Sequence, residues 1–414
     1  MNGIELLKAL RTGTVPKEGL SEIIVGHEAQ ISELMSELTK VKKDNISSVR
    51  FIQGDYGSGK TMLSTYLVEQ ALSMNFCISQ IVIDPTVQLG NFTQVYSAFC
   101  RNFKTPNSRD GSGIINILEE WSLQQLRMHQ SIEGLSDSAT INLEQAKDFM
   151  SHIENELVSV RNMDPSLSRA MAAFAGGKVQ KNSELSKYAL DWIRASDKIP
   201  AKDFSKQLGL KGKIAGDNAY NFLKGILLLA KEAGYAGTLI VLDEVETVMR
   251  LQQPTQRLKA YEILRHILDD TAAGQFQNSL FLVTATPQFF SETKGIRQYP
   301  ALIERIRKIK NLDSSGSKKQ PILELSPLNE SDLSLLATKI RVIHGVAEDW
   351  QIMNKISDEG LAALVSHLST GAFGIKESGP RKFIRELVEA FDLLKEFPEK
   401  TIKELLPKIG QADG

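Results

Sequence analysis

The sequence is poor in cysteine, in long apolar runs and in any excess of one charge. Only 2 cysteines, Cys77 and Cys100, occur among its 414 residues. Both lie in apolar stretches, so we predict buried free thiols rather than a disulfide, and their spacing excludes a cysteine-based metal site. The longest apolar runs, such as residues 225–230 and 239–242, are far shorter than the ~20 residues that a membrane span needs.

The two signs of charge nearly cancel, because 49 basic and 50 acidic side chains give a net charge of -1. A strongly basic chain would indicate nucleic acid binding, whereas here only a local patch could supply it. Residues 1–5 lack the basic start and apolar run of a signal peptide. We therefore expect a cytoplasmic protein that does not enter a membrane.

The residues that are present have the proportions of a globular protein, with 42% hydrophobic and 24% charged. Short apolar stretches alternate with stretches of helical periodicity, which is typical of a parallel sheet with crossover helices. A helix is predicted to start near Glu28, and beyond residue 327 the pattern is helical only. Strands are predicted at residues 49–53, 78–84, 238–242 and 280–284, and helices at 62–74, 92–103 and 218–233.

A glycine-rich motif follows the first predicted strand. Residues 54–61 match the phosphate-binding pattern G-x-x-x-x-G-K-[ST] in full and precede a predicted helix. The glycines allow backbone conformations that aim several N–H groups at phosphate oxygens. Lys60 would bring a positive charge to the β- and γ-phosphates, and the Thr61 hydroxyl would bind magnesium. The predicted binding set is Gly54, Asp55, Tyr56, Gly57, Ser58, Gly59, Lys60, Thr61 and Met62, where the next helix is predicted to begin.

A pair of carboxylates follows another predicted strand. Residues 239–242 deliver Asp243 and Glu244 at the carboxyl end of that strand, where open α/β sheets bind their ligands. Asp243 would hold the magnesium ion, and Glu244 would orient and polarise the attacking water as a general base. Glu246 is the weaker candidate for that second role. The alternative is a solvent-facing acidic strand end, but the P-loop upstream favours ATP hydrolysis.

Two further segments resemble ATPases of the AAA+ type, and that resemblance implies their roles. After the strand at 280–284, AAA+ proteins place a polar residue, sensor 1, that positions the water. Thr286 is our first choice for it and Thr284 our second, the alternative being an ordinary strand-end turn. Gly379-Pro380-Arg381 resembles sensor 2, in which an arginine at a helix start, here Arg381, reaches the γ-phosphate. The alternative for Arg381 is a solvated side chain.

A third resemblance concerns contacts between subunits and with the adenine. AAA+ proteins place an arginine finger, aimed at the ATP of a neighbouring subunit, in the region of residues 301–307. Arg305 is our first candidate and Arg307 our second, and either one would require an oligomer. The alternatives are a solvated helix face and a basic cluster that contacts nucleic acid phosphates. In AAA+ proteins of the origin-recognition type, the stretch that lies against the adenine of ATP is similar to Val25, Gly26 and His27, the alternative for His27 being an ordinary surface or packing residue.

The whole chain resembles the ATP-binding proteins of BREX-type phage-defence systems, BrxD-like members in particular. The resemblance implies an AAA+ ATPase of the origin-recognition-like branch that uses ATP and Mg2+. It also implies a homo-oligomer beside a helicase or another DNA-acting defence protein. Origin-type initiators carry a winged-helix domain after the lid, whereas only about 30 residues follow Arg381, too few for such a domain. The resemblance rests on the P-loop and on residues 9–16, 25–28, 233–237, 243–246, 286–290 and 379–384.

The predicted fold class is an α/β P-loop NTPase of the AAA+ type with a parallel sheet. We expect a helical insertion between the P-loop (Walker A, residues 54–61) and the strand end with Asp243 and Glu244 (Walker B). We also expect a C-terminal helical lid. Gly176 and Gly177 are expected to break one helix of the insertion. The predicted units are residues 1–104 (lead-in and first half of the core, with the P-loop), 105–216 (helical insertion), 217–326 (second half of the core, with Walker B and sensor 1) and 327–414 (lid with sensor 2).

Three functions remain open at this level. The first is an oligomeric ATPase that serves a DNA-acting defence complex. The second is a nucleotide-gated binding module, in which ATP orders the lid through Arg381 and exposes a docking surface. The third is an initiator-like ATPase that contacts DNA itself, which salt-dependent duplex binding would reveal. A small-molecule kinase has little support from the predicted lid and arginine-finger region.

Overall fold

The computed structural model describes residues 3–108, 110–134, 142–196, 201–210, 214, 216–306, 320–370 and 375–405. Within these ranges, five parallel strands form a sheet in the order β2-β3-β4-β1-β5. Two neighbouring interior strands, β3 and β4, are buried along their whole length, as expected where helices cover both faces of a parallel sheet. The strands are β1 (Ser48–Gln53), β2 (Phe76–Val82), β3 (Gly237–Asp243), β4 (Ser279–Ala285) and β5 (Ile322–Glu324).

Four of these strands begin and end close to the residues that the apolar pattern predicted. The edge strand β5 was not predicted, because 3 residues are too few to show a periodicity. Its strand conformation comes from pairing with β1, in which Phe51 lies opposite Ile322 and Gln53 opposite Glu324. The strand conformation of these residues is therefore determined by pairing with a distant segment and not by their own sequence pattern.

Five described helices lie around the first two strands; three of them follow the predicted pattern, and the first two, in the lead-in, were not predicted. Those before β1 are α1 (Gly3–Arg11), α2 (Leu20–Ile23) and α3 (Glu28–Asp44), and those on either side of β2 are α4 (Lys60–Ser73) and α5 (Phe92–Asn102). α3 begins at the predicted Glu28. Cys77 and Cys100 are buried free thiols, which confirms the prediction for both.

The chain between β2 and β3 continues with helices α6 (Gly113–Ile132), α7 (Leu143–Ser159), α8 (Pro165–Val179), α9 (Ser183–Ile193), α10 (Ala201–Leu208) and α11 (Gly216–Glu232). The prediction of a helix break at Gly176 and Gly177 was wrong, because both glycines lie inside α8. A Cβ atom there would collide with Met150 of α7 at the first position and with Ser186 of α9 at the second. The two glycines therefore let three helices pack closely.

The remaining elements follow β3. Two 3-10 helices are found at Val245–Arg250 and Ile296–Gln298, and three α-helices surround β4: α12 (Pro254–Ala272), α13 (Pro287–Ser291) and α14 (Pro300–Arg305). After β5 come α15 (Glu330–Ala347), α16 (Ile352–Lys355), α17 (Asp358–Thr370), α18 (Ile375–Glu396) and α19 (Ile402–Leu405). Gly379 interrupts α18 with φ 69° and ψ 172°.

Among the described residues, three hydrophobic cores hold these elements together. One lies between the sheet and the helices α5–α12, and a second lies on the opposite face of the sheet beneath α3 and α4. In the third core, α1 and α2 pack against α15, α17 and α18. Arg11 of α1 adds an ion pair with Asp392 of α18, with Nε 2.8 Å from Oδ2. The lead-in thus packs with the C-terminal helices although it belongs to the other end of the sequence.

Candidate functional site

The predicted phosphate-binding loop connects β1 to α4. Gly57 and Gly59 have φ values of 81° and 96°, in the left-handed region that glycine adopts without a steric penalty. Gly59 directly precedes α4, so the unpaired N–H groups of the first turn and the positive end of the helix dipole face the loop. This backbone arrangement suits an anionic ligand such as a phosphate group.

Lys60 is the first residue of α4 and is largely buried. Its Nζ donates hydrogen bonds to the carbonyl oxygens of Gly54 and Asp55, at 2.7 and 3.1 Å. Burial lowers the pKa of Lys60, while the negative charges of Glu246 and Asp243 oppose that shift. The ammonium group is therefore a buried cation held by two backbone acceptors and stabilised electrostatically by carboxylates at longer range.

Asp243 is the last residue of β3 and is only 3% exposed. Its Oδ1 accepts a hydrogen bond from the Glu244 N–H at 3.1 Å and another from the Thr284 hydroxyl. Glu244 adopts a left-handed conformation with φ 57°, and its side chain is exposed. Such a conformation costs energy for a residue other than glycine and is common at functional sites.

Thr284 and Thr286, the two candidates for sensor 1, differ in what they contact. Thr284 belongs to β4, the neighbour of β3, and its Oγ1 contacts both Asp243 and the Glu244 N–H, the latter at 3.2 Å. Thr286 precedes α13, and its side chain does not cap that helix. Thr284, our second candidate for sensor 1, is therefore the threonine that reaches Asp243, because neighbouring parallel strands end at the same edge of the sheet.

A cavity of about 340 Å³ unites most of these groups. Tyr56, Gly57, Gly59, Lys60, Thr61 and Met62 line it on the P-loop side, and Asp243, Glu244 and Glu246 line it at the end of β3. Residues 13–16 of the lead-in and Gly379, Pro380 and Arg381 of the C-terminal helices complete its walls. Elements that are distant in the sequence thus surround one polar cavity beside the P-loop.

The three C-terminal residues reach the cavity because the chain bends at Gly379. A Cβ atom at Gly57 would lie only 3.4 Å from both Gly379 Cα and Pro380 Cδ, so the P-loop and this bend are in close contact. Arg381 follows the bend and has an exposed side chain. The predicted sensor 2 arginine therefore lines the same cavity as Lys60.

A smaller apolar cavity of about 40 Å³ adjoins the first one. Val25, His27 and Ser58 line it together with side chains of α4 and of the C-terminal helices. His27 Nε2 lies 3.1 Å from the Ser58 carbonyl oxygen, which links the predicted adenine stretch to the P-loop. Gly26 has φ 67°, and a Cβ atom there would lie 2.9 Å from Leu328 Cδ2. Its walls are apolar, as those around a nucleotide base are, but a volume of about 40 Å³ is too small for a base in this arrangement of the chain.

Arg305, the first arginine-finger candidate, lies away from the cavity beside the P-loop. Arg305, at the end of α14, forms two hydrogen bonds with Asp269, from Nε to Oδ1 at 2.6 Å and from Nη2 to Oδ2 at 3.3 Å. It does not line the cavity beside the P-loop. Arg307 lies outside the described residues. The structure therefore does not bring Arg305 to the phosphate-binding loop of its own chain.

The oxygen ligands at the cavity are suited to a magnesium ion that binds together with a nucleotide. Thr61 and Asp243 offer hard oxygen atoms, and Asp243 Oδ2 accepts no hydrogen bond from the described residues. In the part of the chain that the structure describes, no cluster of three or more His, Cys, Asp or Glu side chains could hold a metal by itself. Magnesium usually takes only one or two protein ligands and keeps water and phosphate oxygens as the others.

The sheet order, the loop between β1 and α4, and the carboxylates after β3 together define a P-loop NTPase-like fold. The family model described as BREX system ATP-binding protein BrxC/D matches residues 2–409, so the chain belongs to this family of ATP-binding phage-defence proteins. No curated protein matches the sequence. None of the described helices combines the length and the apolar character that crossing a membrane requires.

Proposed function

We propose that this protein is an ATP-hydrolysing subunit, of the AAA+ type and its origin-recognition-like branch, of a bacterial anti-phage defence system. The observation that carries the proposal is the single cavity lined by Lys60, Thr61, Asp243 and Glu244. These are the groups that phosphate binding, magnesium binding and activation of a water molecule need. Membership of a BREX family of ATP-binding proteins supports the biological setting.

Each group has a chemical task in this proposal. Lys60 and the N–H groups of the P-loop hold the β- and γ-phosphates, and Thr61 and Asp243 hold the magnesium ion. A bound Mg2+ ion would neutralise charge that develops on the phosphate oxygens. Glu244 orients the attacking water and accepts its proton, and Thr284 fixes the Asp243 carboxylate and the Glu244 backbone. Arg381 contacts the γ-phosphate from the lid.

The proposed active form is a homo-oligomer in which an arginine of one subunit completes the site of the next. Arg305 and Arg307 are the candidates for this arginine. Arg305 is paired with Asp269 of its own chain, so it must leave that ion pair to act on a neighbour. A helicase or another DNA-acting defence protein is the proposed partner that hydrolysis drives or licenses.

A nucleotide-gated binding module is a second candidate function. It is favoured by the fact that distant parts of the chain form the walls of the cavity. The lead-in, the P-loop and the bend at Gly379 meet around the cavity, so a nucleotide bound there would contact all three. ATP binding would thereby order the lid and alter a docking surface, with slow hydrolysis as a timer. Turnover would then matter less than the ATP-bound conformation.

Glu244→Gln tests the first proposal against the second. We expect this variant to bind Mg·ATP and to lose hydrolysis by about 100-fold or more, because a general base contributes this much. Its solution mass should rise when Mg·ATP is added, as that of the wild type should during turnover. Glu292→Gln, an exposed change outside the cavity, is the matched control. An unchanged rate in Glu244→Gln would refute the role of Glu244 as general base, and a wild type that does not hydrolyse ATP would refute the ATPase assignment. A trapped, fully functional partner complex would favour the gated module.

A further inference from the structure

Glu246 is a buried carboxylate without a partner on the wall of the cavity beside the P-loop. It lies in the 3-10 turn after β3 and is only 6% exposed. Neither Oε1 nor Oε2 forms a hydrogen bond with another described residue. The cavity that it lines is also lined by Lys60, Thr61 and Asp243.

This arrangement is unfavourable for the folded protein by itself. A buried carboxylate that accepts no hydrogen bond from the residues around it loses its hydration without full compensation, so such groups in native proteins require an explanation. Burial also raises the pKa of Glu246, because the charged form of a carboxyl group is less stable away from water. Packing alone would be better served by a neutral side chain of the same shape.

Lys60 offsets only part of this cost. Among the negative groups that act on Lys60, Glu246 exerts the strongest attraction, ahead of Asp243. The Lys60 ammonium nevertheless donates its hydrogen bonds to Gly54 and Asp55, not to Glu246. Apart from its own backbone N–H, no described residue donates a hydrogen bond to the Glu246 carboxylate, which therefore has acceptor capacity left for a ligand in the cavity that it lines.

We propose that Glu246 is a positioning residue for the magnesium ion of the bound nucleotide. Magnesium keeps several of its water molecules in protein sites, and their polarised O–H groups are strong donors. Glu246 accepts hydrogen bonds from these waters, while Asp243 and Thr61 bind the ion itself. The inference rests on the proposed nucleotide site but does not depend on hydrolysis.

Glu246→Gln separates this role from a structural one. The substitution should affect nucleotide affinity differently in the absence and in the presence of Mg2+. The dissociation constant of a fluorescent ATP analogue is measured in excess EDTA and in excess Mg2+. Without magnesium, loss of the negative charge should leave binding equal or tighter, since repulsion of the phosphates falls. With magnesium, binding should weaken, so that the gain in affinity from Mg2+ falls about tenfold, the effect of one hydrogen bond to a charged group.

Two matched variants complete the test. Glu244→Gln removes a charge from the same cavity, but from an exposed side chain, and should reduce the magnesium gain much less. Glu246→Asp keeps the charge and should restore part of the gain. If Glu246→Gln changes both dissociation constants by the same factor, Glu246 does not act on the ion and the inference is wrong. If the wild type binds no nucleotide, both this inference and the proposed function fail.

Discussion

Replacing Thr284 by valine tests how the proposed catalytic carboxylates, Asp243 and Glu244, are held in place. The hydroxyl of Thr284 contacts Asp243 Oδ1 and the Glu244 N–H, and the threonine itself is fully buried. Valine has nearly the same shape, so the change removes these two contacts without leaving a cavity. Water cannot replace the hydroxyl at a position that is closed to solvent. Asp243 would therefore lose a fixed orientation at the site where the magnesium ion is proposed to bind.

The size of the effect follows from the kind of contact. A hydrogen bond to a charged group contributes about 1.5–3 kcal/mol. Since roughly 1.4 kcal/mol changes a rate tenfold, ATP hydrolysis should slow by about 10- to 100-fold. Nucleotide binding without magnesium should change little, because Thr284 does not line the cavity.

The assay is the steady-state release of phosphate at saturating Mg·ATP, with nucleotide binding measured in parallel. Thr286→Val is the matched control, because that threonine is also buried, two positions further along the chain, but is not bonded to Asp243. We expect a large loss for Thr284→Val and a small one for Thr286→Val. If Thr286→Val slows hydrolysis more than Thr284→Val does, the argument is wrong and Thr286 is again the better candidate for sensor 1.

Two further predictions concern charged side chains. Arg305→Ala is expected to slow hydrolysis by orders of magnitude at protein concentrations that allow assembly, with unchanged nucleotide affinity, because Arg305 does not line the cavity of its own chain. Rates over a dilution series check this, and a loss that is equally large for the dispersed monomer would contradict an action in trans. Glu37 is buried, which raises its pKa, but hydrogen bonds from Lys40, Ser48 and Arg50 outweigh burial and hold the pKa at about 2, below the ordinary 4.5. This lowered pKa stabilises the fold above pH 4.5, and the contribution, up to about 3 kcal/mol, is lost as the pH falls towards 2. Urea unfolding should therefore find Glu37→Gln less stable than the wild type at pH 7 and nearly equal to it in acid, whereas a gap that does not depend on pH would contradict the assignment.

The sequence alone determined the parts of the site that lie within one short segment. The P-loop, the strand before it and the helix after it are encoded by consecutive residues, because glycine conformations and phosphate contacts are local requirements. Asp243 and Glu244 could be found because a buried parallel strand is a continuous apolar run that ends where ligands bind. The positions of β1–β4 followed from the same kind of pattern.

Only the tertiary structure decided what depends on contacts between distant segments. The pairing of Thr284 with Asp243 comes from the register of β3 and β4, and the partner of Arg305 is Asp269 of another helix. The packing of α1 against the C-terminal helices likewise joins the two ends of the chain. The burial of Glu246 is set by surrounding elements that its own sequence neighbours do not reveal. Periodicity records which face of an element is apolar but not which partner covers it, so these features became visible only in the folded chain.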